Sequence, residues 1–122
     1  MSYNWGPHYI VPSQVLKTYS GAVVLREEFD EELLRKELKE MGVLGPIVKI
    51  INPWYYRAKN ADTWTKVGES EDEHQNFPTR WDTTQLKNGK YEVMGLMHVI
   101  AKKDGKEIAI ARQNVVEVTV KN

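Results

Sequence analysis

Residues 77–99 read FPTRWDTTQLKNGKYEVMGLMHV. An aromatic strand end (Phe77, Thr79, Trp81) runs into Asp82-Thr83-Thr84. Leu86 follows, then an Asn88-Gly89 turn, then a strand that opens on Tyr91. Alternation on either side of a polar break and a glycine turn is the pattern of strands meeting at the corner of a β-sandwich. The stretch predicts an architecture and carries little chemistry.

The strand opening on Tyr91 runs on to Lys103-Asp104-Gly105-Lys106, beyond which a second β run begins. Asp-Gly between two such runs signals a two-residue type I′ hairpin. That turn predicts a register. With Lys103 facing Lys106, Lys102 faces Glu107 as a favourable charge pair. Ala101 then faces Ile108, Val99 faces Ile110, Val93 faces Val116 and Tyr91 faces Val118, all on one face. In the middle the same face carries Met97 opposite Arg112 and Gly95 opposite Asn114. Polar residues in that place are a signal for a bulge near residues 112–114.

The opposite face pairs Ile100 with Ala109, His98 with Ala111, Leu96 with Gln113 and Met94 with Val115. A solvent-facing strand would be polar here. Met94, Leu96, His98 and Ile100 are therefore the candidate interaction surface, since an apolar strand face needs a cover.

The expected cover lies upstream. A helix is predicted over about residues 30–41. Asp30 is placed to be its N-cap, and Glu31 and Glu32 suit the first turn, where the helix dipole favours negative charge. Gly42 suits the left-handed position just past the end. Leu34, Leu38 and Met41 form one apolar stripe, with charged residues over the rest of the surface. Another copy of the chain, or a different protein, is the alternative cover.

The remaining segments are shorter. Residues 1–21 hold Trp5, Tyr9 and Tyr19 among Gly6, Pro7, Pro12 and Gly21, which predicts an arm with aromatic anchors. The arm packs on its own domain or reaches a neighbouring subunit. Residues 22–25 suit a short strand. Residues 47–51 read as a strand, Asn52-Pro53 as a turn, and residues 54–59 as an alternating strand. Residues 64–67 suit a short edge strand, and residues 68–76, GESEDEHQN, an exposed polar loop.

Composition narrows the function classes. The chain has 122 residues, the length of one domain. Seventeen basic and seventeen acidic side chains cancel, which argues against a domain built to grip phosphate backbones and leaves little charge to oppose self-association. There is no cysteine, so disulfides, thiolate metal sites and thiol catalysis are excluded. The first residues lack the pattern of a signal peptide and no apolar run is long enough to span a bilayer. The expected compartment is cytoplasmic, or exported if the chain is a piece of a longer one.

Residues 46–122 resemble a bacterial immunoglobulin-like, or fibronectin-III-like, β-sandwich domain. The resemblance rests on Trp81-Asp82-Thr83-Thr84, Leu86, Asn88-Gly89 and Tyr91. It continues through the Asp104-Gly105 hairpin to Val116, Val118, Val120 and Asn122. It implies that the aspartate and threonines turn the chain out of one sheet. It also implies that Tyr91 is a tyrosine-corner residue and that Trp54 or Tyr56 supplies a core aromatic. The implied fold is mainly β, an antiparallel sandwich; the helix of residues 1–45 is not part of the usual sandwich and is expected to pack on it. The resemblance implies no activity, because this fold hosts many roles.

Catalytic patterns are missing. His8, His74 and His98 fall on the arm, a loop and a strand face, and no nucleophile elbow or phosphate loop occurs. Glu69, Glu71, Asp72, Glu73 and His74 lack the glycine and closing glutamate of a calcium loop, so no metal or other cofactor is expected. The expected function is a non-catalytic protein-interaction or assembly module that binds a protein partner or itself. The alternative is a carbohydrate-binding module. Four Trp and six Tyr are many for the length, and Tyr55 and Trp64 are the candidate sugar platform. Neither nucleic acid nor membrane is an expected partner.

Overall fold

The computed structural model describes residues 2–4, 10–11, 18–27 and 31–122. In chain order the elements are β1 (Ser2–Asn4), β2 (Ile10–Val11), β3 (Ala22–Glu27), α1 (Glu31–Glu40) and β4 (Ile47–Ala58). Then come β5 (Thr65–Ser70), β6 (Thr79–Asp82), β7 (Gly89–Lys103) and β8 (Lys106–Val120). The chain is mainly β, and its described residues form two sheets and one α-helix. The larger sheet has the order β1-β8-β7-β4-β5 and the smaller β2-β3-β6. No described helix is long and apolar enough to cross a membrane.

The β7–β8 hairpin forms in the predicted register from Lys103↔Lys106 to Gly89↔Val120. Asp104 (φ 52°) and Gly105 (φ 78°) are both left-handed, as a type I′ turn requires. The ladder pairs Met97 with Arg112 and Gly95 with Asn114 without a shift. The expected bulge near residues 112–114 is therefore absent, and the polar residues stay on the inner face.

That inner face is covered twice. At one end, Tyr91, Val93, Val116, Val118 and Trp54 pack against Leu25 of β3, Trp81 of β6 and Tyr19. At the other end, Met97, Val99, Ala101, Ile110 and Ile50 pack against Leu34 and Leu38 of α1 with Val43 and Phe77. Burial of each large aliphatic side chain contributes about 1.5–3 kcal/mol. The helix thus lies on the same side as the small sheet, and not over Met94, Leu96 and Ile100 as the sequence suggested. An apolar stripe dictates that a helix face be buried; it does not say against which face of a sheet that is apolar on both.

Helix α1 ends as its sequence dictates. Gly42 is left-handed (φ 78°). The Val43 amide donates to the Leu38 carbonyl (2.8 Å) and the Gly42 amide to the Lys39 carbonyl (3.0 Å). This is a Schellman cap, and it delivers Val43 beside Leu38 in the second core. The predicted N-cap, Asp30, lies outside the described residues, as do Trp5 and Tyr9.

Strand β4 corrects another expectation. Asn52-Pro53 is not a turn; β4 runs through it for 12 residues. The β4–β7 ladder pairs Ile51 with His98, breaks, and resumes at Trp54 with Gly95. A proline has no N–H to give a ladder, and the break at residues 52–53 accommodates it.

Residues on both sides of residue 46 build the sheets. β3 pairs with β6. β1 runs parallel to β8 at Ala111–Gln113 register positions, and Tyr19 bridges in parallel to Val120. The Tyr19 amide donates to the Thr119 carbonyl at 2.7 Å.

Candidate functional site

The corner of residues 81–91 is tied by hydrogen bonds. Asp82 Oδ1 accepts from the Thr84 hydroxyl (2.7 Å) and amide (3.0 Å). The Thr83 hydroxyl donates to the Gly21 carbonyl (2.7 Å). The Asn122 side-chain amide donates to the Thr83 carbonyl (2.7 Å), and the Asn122 backbone amide donates to Asn88 Oδ1 (2.8 Å). The Tyr91 hydroxyl donates back to the Lys87 carbonyl (2.7 Å). These residues join the chain end to the corner. They bond to one another and tie the corner together.

The outer face of the larger sheet has a different character. Burial alternates along β7, so even-numbered residues point away from both cores. Register places the side chains in rows across the sheet. Val115, Met94 and Tyr55 form one row, Gln113 and Leu96 the next, then Ala111, His98 and Ile51, then Ala109, Ile100 and Lys49. The four candidate surface residues Met94, Leu96, His98 and Ile100 are brought together down the middle. All four are half-buried, and no described element lies across them.

Charges bound this apolar field at both ends. At one end Lys102 pairs with Glu107 (3.6 Å). At the other, Arg57 pairs with Glu92 (3.0 Å), and Glu117 takes Lys59 (2.7 Å) and Lys90 (3.8 Å). Glu92 and Glu117 are directly opposed, and the three cations offset the repulsion of like charges.

The candidate sugar platform lies beside the charged end. Tyr55 shares the outer face with Met94. Trp64 is covered on one ring face by Arg57, whose Cζ is 4.3 Å from the ring centroid. That cation–π contact occupies one of the two faces of the indole.

Three of the acidic residues in and just after β5 have structural partners. Glu69 pairs with Lys66 and Glu71 with Lys49. Asp72 accepts from the Gln75 amide (3.2 Å) and caps a short 3-10 turn over Glu73–Gln75. Among the described residues no three His, Asp or Glu side chains converge as a metal site would need.

One pair escaped the sequence reading. Arg112 is 2% exposed on the inner face, and its Nη2 lies 2.8 Å from Glu37 Oε2 on α1. Asn52 and Asn114 are buried nearby on the same face. They occupy the joint where the small sheet stops covering the larger one and the helix begins. The signal was present as polar residues at inner-face positions. Their partner was not, because Glu37 is one of several charges on a solvated-looking helix.

The shifted titratable groups sit on the surface, not in a cleft. Hydrogen bonds from Thr84 hold Asp82 below the usual carboxylate range. Hydrogen bonds from Lys66 and Lys59 do the same for Glu69 and Glu117. The same two bonds raise Lys66 and Lys59. Depressed carboxylates contribute stability that is present above their unfolded values and lost as pH falls through the folded ones. The raised lysines contribute below about pH 10.5 and lose it above. Stability is therefore expected to be flat through neutral pH and to fall below about pH 4 and above about pH 10.5. Thermal melts across that range check this, and a maximum confined to one side of neutrality would contradict it.

No protein family, curated protein or solved structure matches the chain.

Proposed function

We propose that this chain is a non-catalytic protein-interaction module that docks through the outer face of its larger sheet. One observation carries the reading. Met94, Leu96 and Ile100 share a mainly apolar face with charged ends, which also carries His98, Gln113 and Lys49 and which neither α1 nor the small sheet covers. The position of the helix supports it, because the best internal cover is committed to the opposite side. The absence of catalysis is part of the same reading. It is supported by the scatter of the shifted groups over surface ion pairs and by the lone setting of His98 among Ile51, Ala111 and Leu96.

Kinship with immunoglobulin-like domains belongs to the proposal as well. It is supported by the Tyr91–Lys87 bond, which has the geometry of a tyrosine corner, and by Trp54 at the centre of the first core. The helix over half of the inner face and the parallel β1–β8 pair depart from the usual sandwich.

Self-association through this face is the form to test first, since zero net charge does not oppose it. Light scattering after size exclusion is expected to give a closed oligomer for the wild type. The Leu96→Asp, Ile100→Asp double variant is expected to be monomeric with unchanged circular dichroism. A monomeric wild type at about 1 mM, or a double variant that unfolds, would overturn the reading of this face as an interface between copies.

A further inference from the structure

Strand β4 is longer than its edge neighbour. β7 pairs along one side of it from Ile47 to Ala58. On the other side β5 reaches only residues 52–56. Among the described residues, no strand pairs with the outer side of residues 47–51. An open strand edge carries a row of backbone N–H and C=O groups that can template another strand.

This open edge lies in a cavity of about 300 Å³, lined by Glu31 and Arg35 of α1, Val48 and Lys49 of β4, and Glu71 and Glu73 beyond β5. A second concavity shares Arg35 and reaches Leu44. Leu44 (78% exposed) and Val48 (50%) are two of the three most exposed large apolar side chains among the described residues. Exposed apolar side chains along a groove mark a binding surface more often than single ones do. In the first cavity Glu31, Glu71 and Glu73 outnumber Arg35 and Lys49 by one charge, and Lys39 lines the second concavity. Arg35 holds Glu31 at 2.9 Å and Lys49 holds Glu71 at 3.5 Å. Glu73 has no ion-pair partner among the described residues, and Asp72 stands next to it.

We propose that the open edge at residues 47–51 takes up an extended segment of a partner protein, with alternating apolar and basic side chains, as an added strand. Main-chain hydrogen bonds supply affinity in such strand addition, and the alternate side chains supply specificity. Here the apolar side chains meet Val48 and Leu44, and the basic ones meet Glu71 and Glu73. A second copy's folded edge fits less well. Lys49 lies on this edge and the ladder slips between Ile47 and Lys49. An edge lysine and a bulge are the devices that keep folded sheets from pairing. A free segment adapts its backbone to the slip. The site is separate from the outer face and does not depend on the function assigned to that face.

The test uses a short dye-labelled peptide of alternating valine and lysine, titrated against the full chain by fluorescence anisotropy. A second peptide has the same side chains with every backbone amide N-methylated. The first is expected to saturate tighter than about 1 mM, with amide chemical-shift changes centred on residues 47–51. The methylated peptide is expected not to bind. A Glu71→Lys, Glu73→Lys variant, altered only at exposed positions, is expected to stay folded and to weaken binding about tenfold or more. The proposal is overturned if the first peptide does not saturate by about 1 mM, if methylation leaves binding unchanged, or if the shifts fall on Leu96 and Ile100 instead.

Discussion

A Trp54→Ala variant is expected to lose about 3–5 kcal/mol, a fall in Tm of about 10–20 °C. Trp54 is completely buried. Its neighbours across the sheet are Gly68 on β5 and Gly95 on β7. Two side-chain-free positions flank the bulkiest side chain, so no adjacent group is placed to collapse into the space it leaves. The indole also donates from Nε1 to the Phe77 carbonyl at 2.9 Å. Trp54 belongs to the core under the small sheet and Phe77 to the core under the helix. The bond therefore clips the two together. Trp54→Phe keeps much of the volume and removes that donor, so a smaller loss of about 1–2 kcal/mol is expected. Thermal denaturation followed by circular dichroism separates the two. An alanine variant that melts within a few degrees of the wild type would show that the core relaxes around the site.

The second large effect concerns the joint between those cores. Glu37→Ala is expected to cost about 2–3 kcal/mol, because it takes a carboxylate from a guanidinium that is 2% exposed. The value sits toward the low end for buried pairs, since Glu37 itself keeps 20% of its side chain in water. Arg112→Met together with Glu37→Leu is expected to recover most of the loss, because two well-packed apolar residues replace two desolvated charges. Denaturant midpoints for the single and double variants give the coupling directly. If Glu37→Ala changes stability by less than about 0.5 kcal/mol, the pair is not what joins helix to sheet.

Both predictions rest on features that local patterns could not supply, while other parts of the fold were legible. The β7–β8 register followed from Asp104-Gly105, because a type I′ turn leaves only one pairing for each later residue. The helix end followed from Gly42, since few other residues accept that backbone conformation. The Tyr91–Lys87 bond lies within five residues of chain, so its motif was visible. Strand β4 was misread at Pro53, because the usual rule for proline yields to a ladder that skips two residues. The helix was placed on the wrong face of the sheet, because β7 is apolar on both faces and the helix stripe matches either.

The candidate surface divides in the same way. Strand alternation alone put Met94, Leu96, His98 and Ile100 on one face, because side chains in a strand alternate with period two. That no described element covers the face, and that Lys102–Glu107 and the Arg57, Lys59 and Lys90 pairs lie at its ends, required β4 and the helix to be in place. What the amino-acid sequence determined by itself was local: turns, caps, register and which residues share a face. What only the tertiary structure decided was which faces meet. The reason is physical. Hydrophobic burial is non-directional, so a pattern states how much surface must leave water and leaves its partner to be chosen by packing across the whole chain.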